Sequence, residues 1–173
     1  SAVALAVQNI ARDKNKVVLF SGPATTALTN KEGSPVGFHW MFDTYSQSVG
    51  GAKATIATGG KSWFFLTVDY AFGHSLEADT SKMVESLGGK VNGAVRHPLN
   101  NSDYASFMLQ AQSSKADVVA LANGGQDTVN AVKQAKEFGV SEGGQRLVSL
   151  LIFLSDLRAL GNESAQGLSY VDG

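Results

Sequence analysis

The 173 residues suit about one domain of roughly 100–200 residues and suffice for a sizeable core. With 14 Lys and Arg against 15 Asp and Glu, the formal charge is −1, which argues against the clustered basic surface that nucleic acid requires. Cysteine is absent, so disulfides, thiolate catalysis and Cys-ligated metal are excluded together.

Val3, Ala6, Val7 and Ile10 fall on one face of a helix ending near Asn15. The basic run Arg12–Lys16 is broken by Asp13 and reads as its solvated end. Val17–Phe20 is a strand halted by Ser21-Gly22-Pro23. A second strand is expected over Val36–Phe42, after a surface loop at Asn30–Gly37, and an Ala-rich helix over Thr44–Thr58. Trp63–Leu66 is a strand, followed by a helix striped by Phe72, Leu76, Met83, Val84 and Leu87 that stops at Gly88-Gly89. Val91–Val95 reads as a weak strand, and Tyr104, Phe107, Met108 and Ala111 as a helical face behind Ser102 as N-cap. Val118–Ala122 is a strand, Thr128–Phe138 a helix closed by Gly139, and Leu147–Leu154 a long apolar strand before a short helical segment and Gly167–Val171. Leu147–Leu154 is far shorter than the roughly 18 residues of a membrane span. No charged segment with a cleavage site precedes Ser1, so the chain is expected to start mature, processed or mid-protein.

Strands alternating with helices at roughly 30-residue spacing make βαβ units, hence an α/β fold with a parallel sheet covered on both faces. Apolar strands, 19 glycines and only 17% charged residues agree with that. Ligands of such sheets bind beyond the carboxyl ends of the strands. The residues there are Ser21–Thr26, Val68–Gly73, Asn123–Asp127 and Ser155-Asp156. They supply hydroxyls, amides, single acids and aromatics, the makings of a mostly apolar pocket. Each also has a plainer reading: Ser21, Thr25, Thr26, Asp69, Asp127 and Asp156 as turn or helix caps, Tyr70 and Phe72 as core, and Gly124-Gly125 as a tight turn.

Enzyme signatures are mostly missing. No G-x-G-x-x-G follows a strand, and neither a Walker A lysine motif nor a G-x-S-x-G elbow occurs. His74 and Glu77 share a helix face without a second histidine; an exposed polar face is the expectation, not a metal. His39 sits between Phe38 and Trp40, and His97 falls before Pro98 in an expected loop without an assignable partner.

Several segments, in their order and spacing, carry a resemblance. They are Val17–Thr26 with Leu28-Thr29, the strand His39–Asp43, Asp69-Tyr70-Ala71-Phe72-Gly73 as an Asp-x-x-aromatic-Gly signature, Asn101–Tyr104, Ala116–Val119 and Phe138-Gly139. Over essentially its whole length the chain resembles the branched-chain-amino-acid family of periplasmic solute-binding proteins, the receptors of ABC importers with the type I fold. Family members are roughly twice as long. The resemblance therefore implies a partial chain lacking the opening βαβ of lobe 1 and the C-terminal return to it. Residues 1–43 would belong to lobe 1 and 44–173 to most of lobe 2, and apolar surface normally covered would be exposed.

The resemblance also implies a site. Ser1 or Ala2 and the loop Pro23-Ala24-Thr25 would take a ligand carboxylate from lobe 1. From lobe 2, Phe72 would cover the ligand, Asn123 stands where amino-acid binders often carry Tyr, and Ser155 or Asp156 falls near a Glu that pairs with an amino group. Asn and Ser at those places, with Trp40, Tyr45, Tyr70 and Phe72, suit an aromatic or keto acid such as a benzoate or phenylpropanoid. The implied protein is a periplasmic, non-catalytic receptor without cofactor, docking on a membrane permease but not itself inserted. A cytoplasmic ligand-sensing regulator on the same fold is the alternative, and a nucleotide-dependent α/β enzyme a more distant one.

Overall fold

The structure, a computed structural model, describes residues 1–172. In chain order its elements are α1 (Ala2–Asp13), β1 (Val18–Phe20), a 3-10 turn (Thr26–Leu28), β2 (Gly37–His39), α2 (Thr44–Ala57), β3 (Ser62–Val68), α3 (Ala71–Ser86), β4 (Lys90–His97), α4 (Ala105–Ser113), β5 (Val118–Ala122), α5 (Gln126–Glu137), β6 (Arg146–Ile152), α6 (Leu154–Ala165) and β7 (Ser169–Asp172). β1 and β2 form a two-stranded sheet, and the rest a five-stranded one in the order β4-β3-β5-β6-β7. Every pairing is parallel.

β3 and β5 are buried at every residue, and β6 from Leu147 to Ile152. Such burial requires helices on both faces. On one face Leu66, Leu121 and Ile152 meet Tyr104, the N-cap of α4, with Met108 of α4 and Val129 and Val132 of α5. On the other, Trp63, Phe65, Ala120 and Leu150 meet Ala52 of α2 and Leu76 and Val84 of α3. The result is the α/β three-layer arrangement expected.

Three local expectations need correction. The weak strand at Val91–Val95 is a full eight-residue strand, Lys90–His97. As an edge strand it buries one face only, so Asn92, Ala94 and Arg96 stay exposed and dilute its apolar signal. β2 is three residues, not seven, and Trp40 beyond it is 84% exposed. α4 starts at Ala105, where the Asp103 carboxylate, not Ser102, accepts the Ala105 N–H at 3.0 Å.

Residues 1–43 are covered unevenly. α1 packs on β1 and β2, and the buried Gln8 amide donates to the carbonyls of Leu28 and Glu32. Val3 and Ile10 of α1 remain exposed, as do Leu19 and Phe38, which lie side by side in register. The apolar exposure implied by the family resemblance is therefore present here.

A cluster of hydroxyls fastens the loop after β1 to the larger sheet's helices. One Asp79 oxygen on α3 accepts from the Thr44 hydroxyl at 2.6 Å and the Thr26 hydroxyl at 3.1 Å. The Thr25 and Ser75 hydroxyls lie 2.7 Å apart, and Thr44 N–H donates to the Ala24 carbonyl at 2.8 Å. Asp43 closes the junction by capping α2, its carboxylate accepting the Ser46 N–H at 2.7 Å.

Hydrogen bonds to a charged acceptor contribute about 1.5–3 kcal/mol each. Partial exposure of Asp79 moderates this, so Asp79→Ala is expected to cost about 1–3 kcal/mol in urea denaturation. Limited proteolysis should then cut faster between residues 26 and 43, and an unchanged digestion pattern would remove Asp79 as the fastener. Gly73 offers a second check, because an added Cβ would stand 2.1 Å from the Val68 carbonyl oxygen. Gly73→Ala should therefore destabilise by about 1–3 kcal/mol, although alanine is the better helix former by about 1 kcal/mol.

Candidate functional site

Parallel strands point their carboxyl ends the same way, so the loops after β3, β5 and β6 gather at one end of the sheet. α3 begins directly after Asp69-Tyr70, which sets Tyr70 and Phe72 side by side with ring centroids 5.9 Å apart. Phe72 is 6% exposed. The loop after β5 lies close over it: a Cβ on Gly124 would be 3.7 Å from the Phe72 ring and 3.8 Å from Leu151. Phe153, where β6 gives way to α6, meets Phe42 with centroids 5.8 Å apart. Ala24, Phe42, Tyr70, Phe72, Leu151 and Phe153 thus belong to one apolar cluster.

Of the residues expected to bind ligand, Ala24 and Phe72 are brought into this cluster. Tyr45 is 57% exposed on the first turn of α2, and Ser155 is exposed at the start of α6. Ser1 and Pro23 line a wide groove of about 540 Å³ between α1 and β1. Thr25 and Asn123 are enclosed instead. The buried Thr25 hydroxyl is engaged with Ser75 and accepts the Ala27 N–H. Asn123 is fully buried: its Oδ1 accepts the Thr128 hydroxyl at 2.8 Å and its Nδ2 donates to His97 Nε2 at 3.2 Å. In this arrangement neither side chain opens to solvent.

The acids at this end are also engaged. The Asp156 carboxylate accepts the Phe153 N–H at 3.1 Å, capping α6 as expected. Asp69 pairs with His74 at 2.7 Å, while Glu77 lies 3.8 Å from Arg96, so His74 and Glu77 have different partners. Among the described residues no group of three His, Asp or Glu side chains could hold a metal.

Two residues expected in lesser roles, His97 in a loop and Asp127 as a helix cap, organise the loops instead. His97 ends β4 rather than sitting in a loop, and it is fully buried with its ring edge-on to Tyr104 at 4.9 Å. Its inward position continues the two-residue period of Val91, Gly93 and Val95, which is the signal that could have found it. Asp127, on the first turn of α5, accepts the N–H groups of Asn100 and Asn101 at 3.1 and 2.9 Å and the Tyr104 hydroxyl at 3.2 Å. Burial, and then the Asp127 charge, push the Tyr104 phenol far above its ordinary pKa. Burial lowers that of His97, opposed by its bond to the Pro98 carbonyl and by Asp127.

Comparison with known proteins fits this geometry. The periplasmic binding protein family matches residues 1–173. A periplasmic binding protein from Burkholderia mallei is 50% identical, with a TM-score of 0.93 over 96% of this chain and 44% of that one. A solute-binding protein of an ABC transporter from R. palustris, solved with 4-hydroxybenzoate, is 28% identical with a TM-score of 0.83, covering 92% of this chain and 44% of its own. The Leu/Ile/Val-binding protein homolog 6 of Brucella melitensis is 29% identical over 168 residues, 95% of this chain. The chain spans 42% of that relative's length. Matched by the family along its whole length and sharing its fold with solved members, the chain belongs to the periplasmic binding protein family.

Proposed function

We propose that this chain is part of the solute receptor of an ABC importer, and that it binds a small carboxylate, an aromatic acid before an amino acid, between two lobes. Residues 1–43 belong to the first lobe and 44–173 to the second. The boundary follows the hydroxyl cluster around Asp79, across which the two parts would rock. The receptor works outside the cytoplasm, in the periplasm of a bacterium, and delivers its ligand to a membrane permease without chemistry or cofactor. No helix among the described residues is long and apolar enough to cross a membrane.

One observation carries the ligand class: the ligand-facing end of the sheet is an aromatic cluster. An amino-acid ligand needs a carboxylate for its ammonium group; at this end Asp69 pairs with His74, and one Asp156 oxygen accepts the Phe153 N–H to cap α6. Tyr70 and Phe72 offer stacking and apolar contact. The R. palustris relative with 4-hydroxybenzoate supports the same class. In the proposed site the backbone at Pro23, Ala24 and Thr25 meets the ligand carboxylate beside Ser1. Phe72 covers the ring, Tyr45 and Ser155 stand at the rim, and Asn123 supports the loop under the ligand from within.

A thermal-shift screen of the full-length receptor against benzoates, phenylpropanoids, keto acids and branched-chain amino acids tests the reading, because a ligand of the folded state raises its melting temperature. Shifts with aromatic acids are expected. A shift with leucine or valine alone would keep the receptor and overturn the ligand, and silence across the panel would remove the receptor reading. Phe72→Ala should weaken aromatic acids by about 2- to 12-fold, the equivalent of a 0.5–1.5 kcal/mol ring contact. Aliphatic acids should change less. Calorimetry well below the variant's melting temperature makes that comparison, and equal losses would defeat the stacking role.

A further inference from the structure

We propose that His97 is a positioning residue for the ligand-facing end of the sheet, its side chain tying the loop that follows β4 to the loop that follows β5. Its main-chain carbonyl, independently of the side chain, accepts the N–H of Asp69, just after β3, at 2.8 Å. Its Nδ1 bonds the Pro98 carbonyl in its own loop at 2.8 Å. Its Nε2 faces Nδ2 of Asn123, just after β5, at 3.2 Å. The proton arrangement follows from the partners. Thr128 holds the Asn123 oxygen, so the amide NH2 points at Nε2. Nε2 must accept, and the ring proton sits on Nδ1, where a carbonyl receives it.

The loop after β5 depends on such anchors. Gly124 lies against Phe72, and Gly125 has φ 58° and ψ −134°, a region that suits glycine. Two adjacent glycines have no side chains of their own to hold this geometry. Asn123 before them is held by His97 and Thr128, and Asp127 after them is held by Asn100, Asn101 and Tyr104. With His97 buried and in edge contact with Tyr104 and Phe107, the imidazole has little freedom to turn away.

The same arrangement responds to acid. A second proton makes Nε2 a donor facing a donor, so the Asn123 bond is lost or the amide must flip. The surrounding groups are Asp127 from α5 and Tyr104, the N-cap of α4, whose hydroxyl lies 3.4 Å from His97 Nδ1. Tyr70, in the loop after β3, feels the same Asp127 charge. Asp69 is paired with His74, and Arg96, next to His97 on β4, reaches outward to Glu77. Because burial lowers the folded pKa below the ordinary value of about 6.5, the ordering is complete above that pH. It is lost as pH falls through the folded value.

The link to ligand rests on the receptor reading, but the test needs no ligand. Long-range 15N–1H spectra at pH 7.5 should show His97 protonated on Nδ1 only. Backbone order parameters of Gly124 and Gly125 should fall from about 0.85 to below about 0.6 in His97→Ala, and in the wild type once His97 is protonated, with Leu121 unchanged. Asn123→Asp, whose carboxylate can accept from a protonated ring, should raise the His97 pKa and keep the loop ordered at pH 5. If His97→Ala does not fold, the wild-type titration and Asn123→Asp carry the test. A proton on Nε2 at pH 7.5, or a loop that stays ordered throughout the His97 titration, would overturn the proposal. Silence in the ligand panel would remove the receptor and leave this result standing.

Discussion

A parallel sheet that is apolar on both faces can be stable in water only if the helices connecting its strands cover both. That requirement shapes this molecule. It places α2 and α3 on one side and α4 and α5 on the other, and fixes which loops share an end. With the strands buried through β3, β5 and most of β6, the sheet's faces are closed by helices, and the loops beyond the carboxyl ends, where such sheets take ligands, remain open. Aromatic residues at that end extend the core rather than interrupt it: Phe72 is held by the same packing that holds Leu76 and Phe65.

The smaller sheet meets the same requirement only in part. α1 covers one face, while Leu19 and Phe38 remain open on the other. Polar contacts compensate at the junction. Asp79, Ser75 and Thr44 hold the loop after β1 through hydroxyls, and Asp43 starts α2 within four residues of β2. Hydroxyl and carboxylate contacts at a partly exposed junction can exchange with water at moderate cost, whereas apolar packing cannot. The junction thus adds exchangeable polar contacts to the apolar ones of Ala24 and Phe42, which pack into the large sheet's cluster.

The strands with unbroken apolar runs were readable from the residues alone, since no other local structure accounts for Trp63–Leu66 or Val118–Ala122 between glycine-bounded helices. β4 was readable only faintly, because one face of an edge strand looks polar. The length of β2 was overestimated for the converse reason: Trp40 and Met41 are apolar, but nothing described here covers them. At the candidate site the aromatic and glycine positions were visible and their partners were not. Asn123 looks like a ligand contact by position in the chain. Its enclosure depends on His97, 26 residues earlier, and on Thr128. Burial of a polar side chain is a property of the assembled end of the sheet, which no local pattern encodes.

The two tryptophans stand at opposite extremes of environment. Trp63 is wholly buried, with its indole N–H donating to the Gly60 carbonyl at 2.9 Å, while Trp40 projects at 84% exposure just before α2. An aqueous quencher such as iodide therefore reaches one indole and not the other, and their emission separates by wavelength as well as by quenching. Without any added label, the chain's fluorescence divides into one signal from the heart of the large sheet and one from the segment joining it to the small sheet.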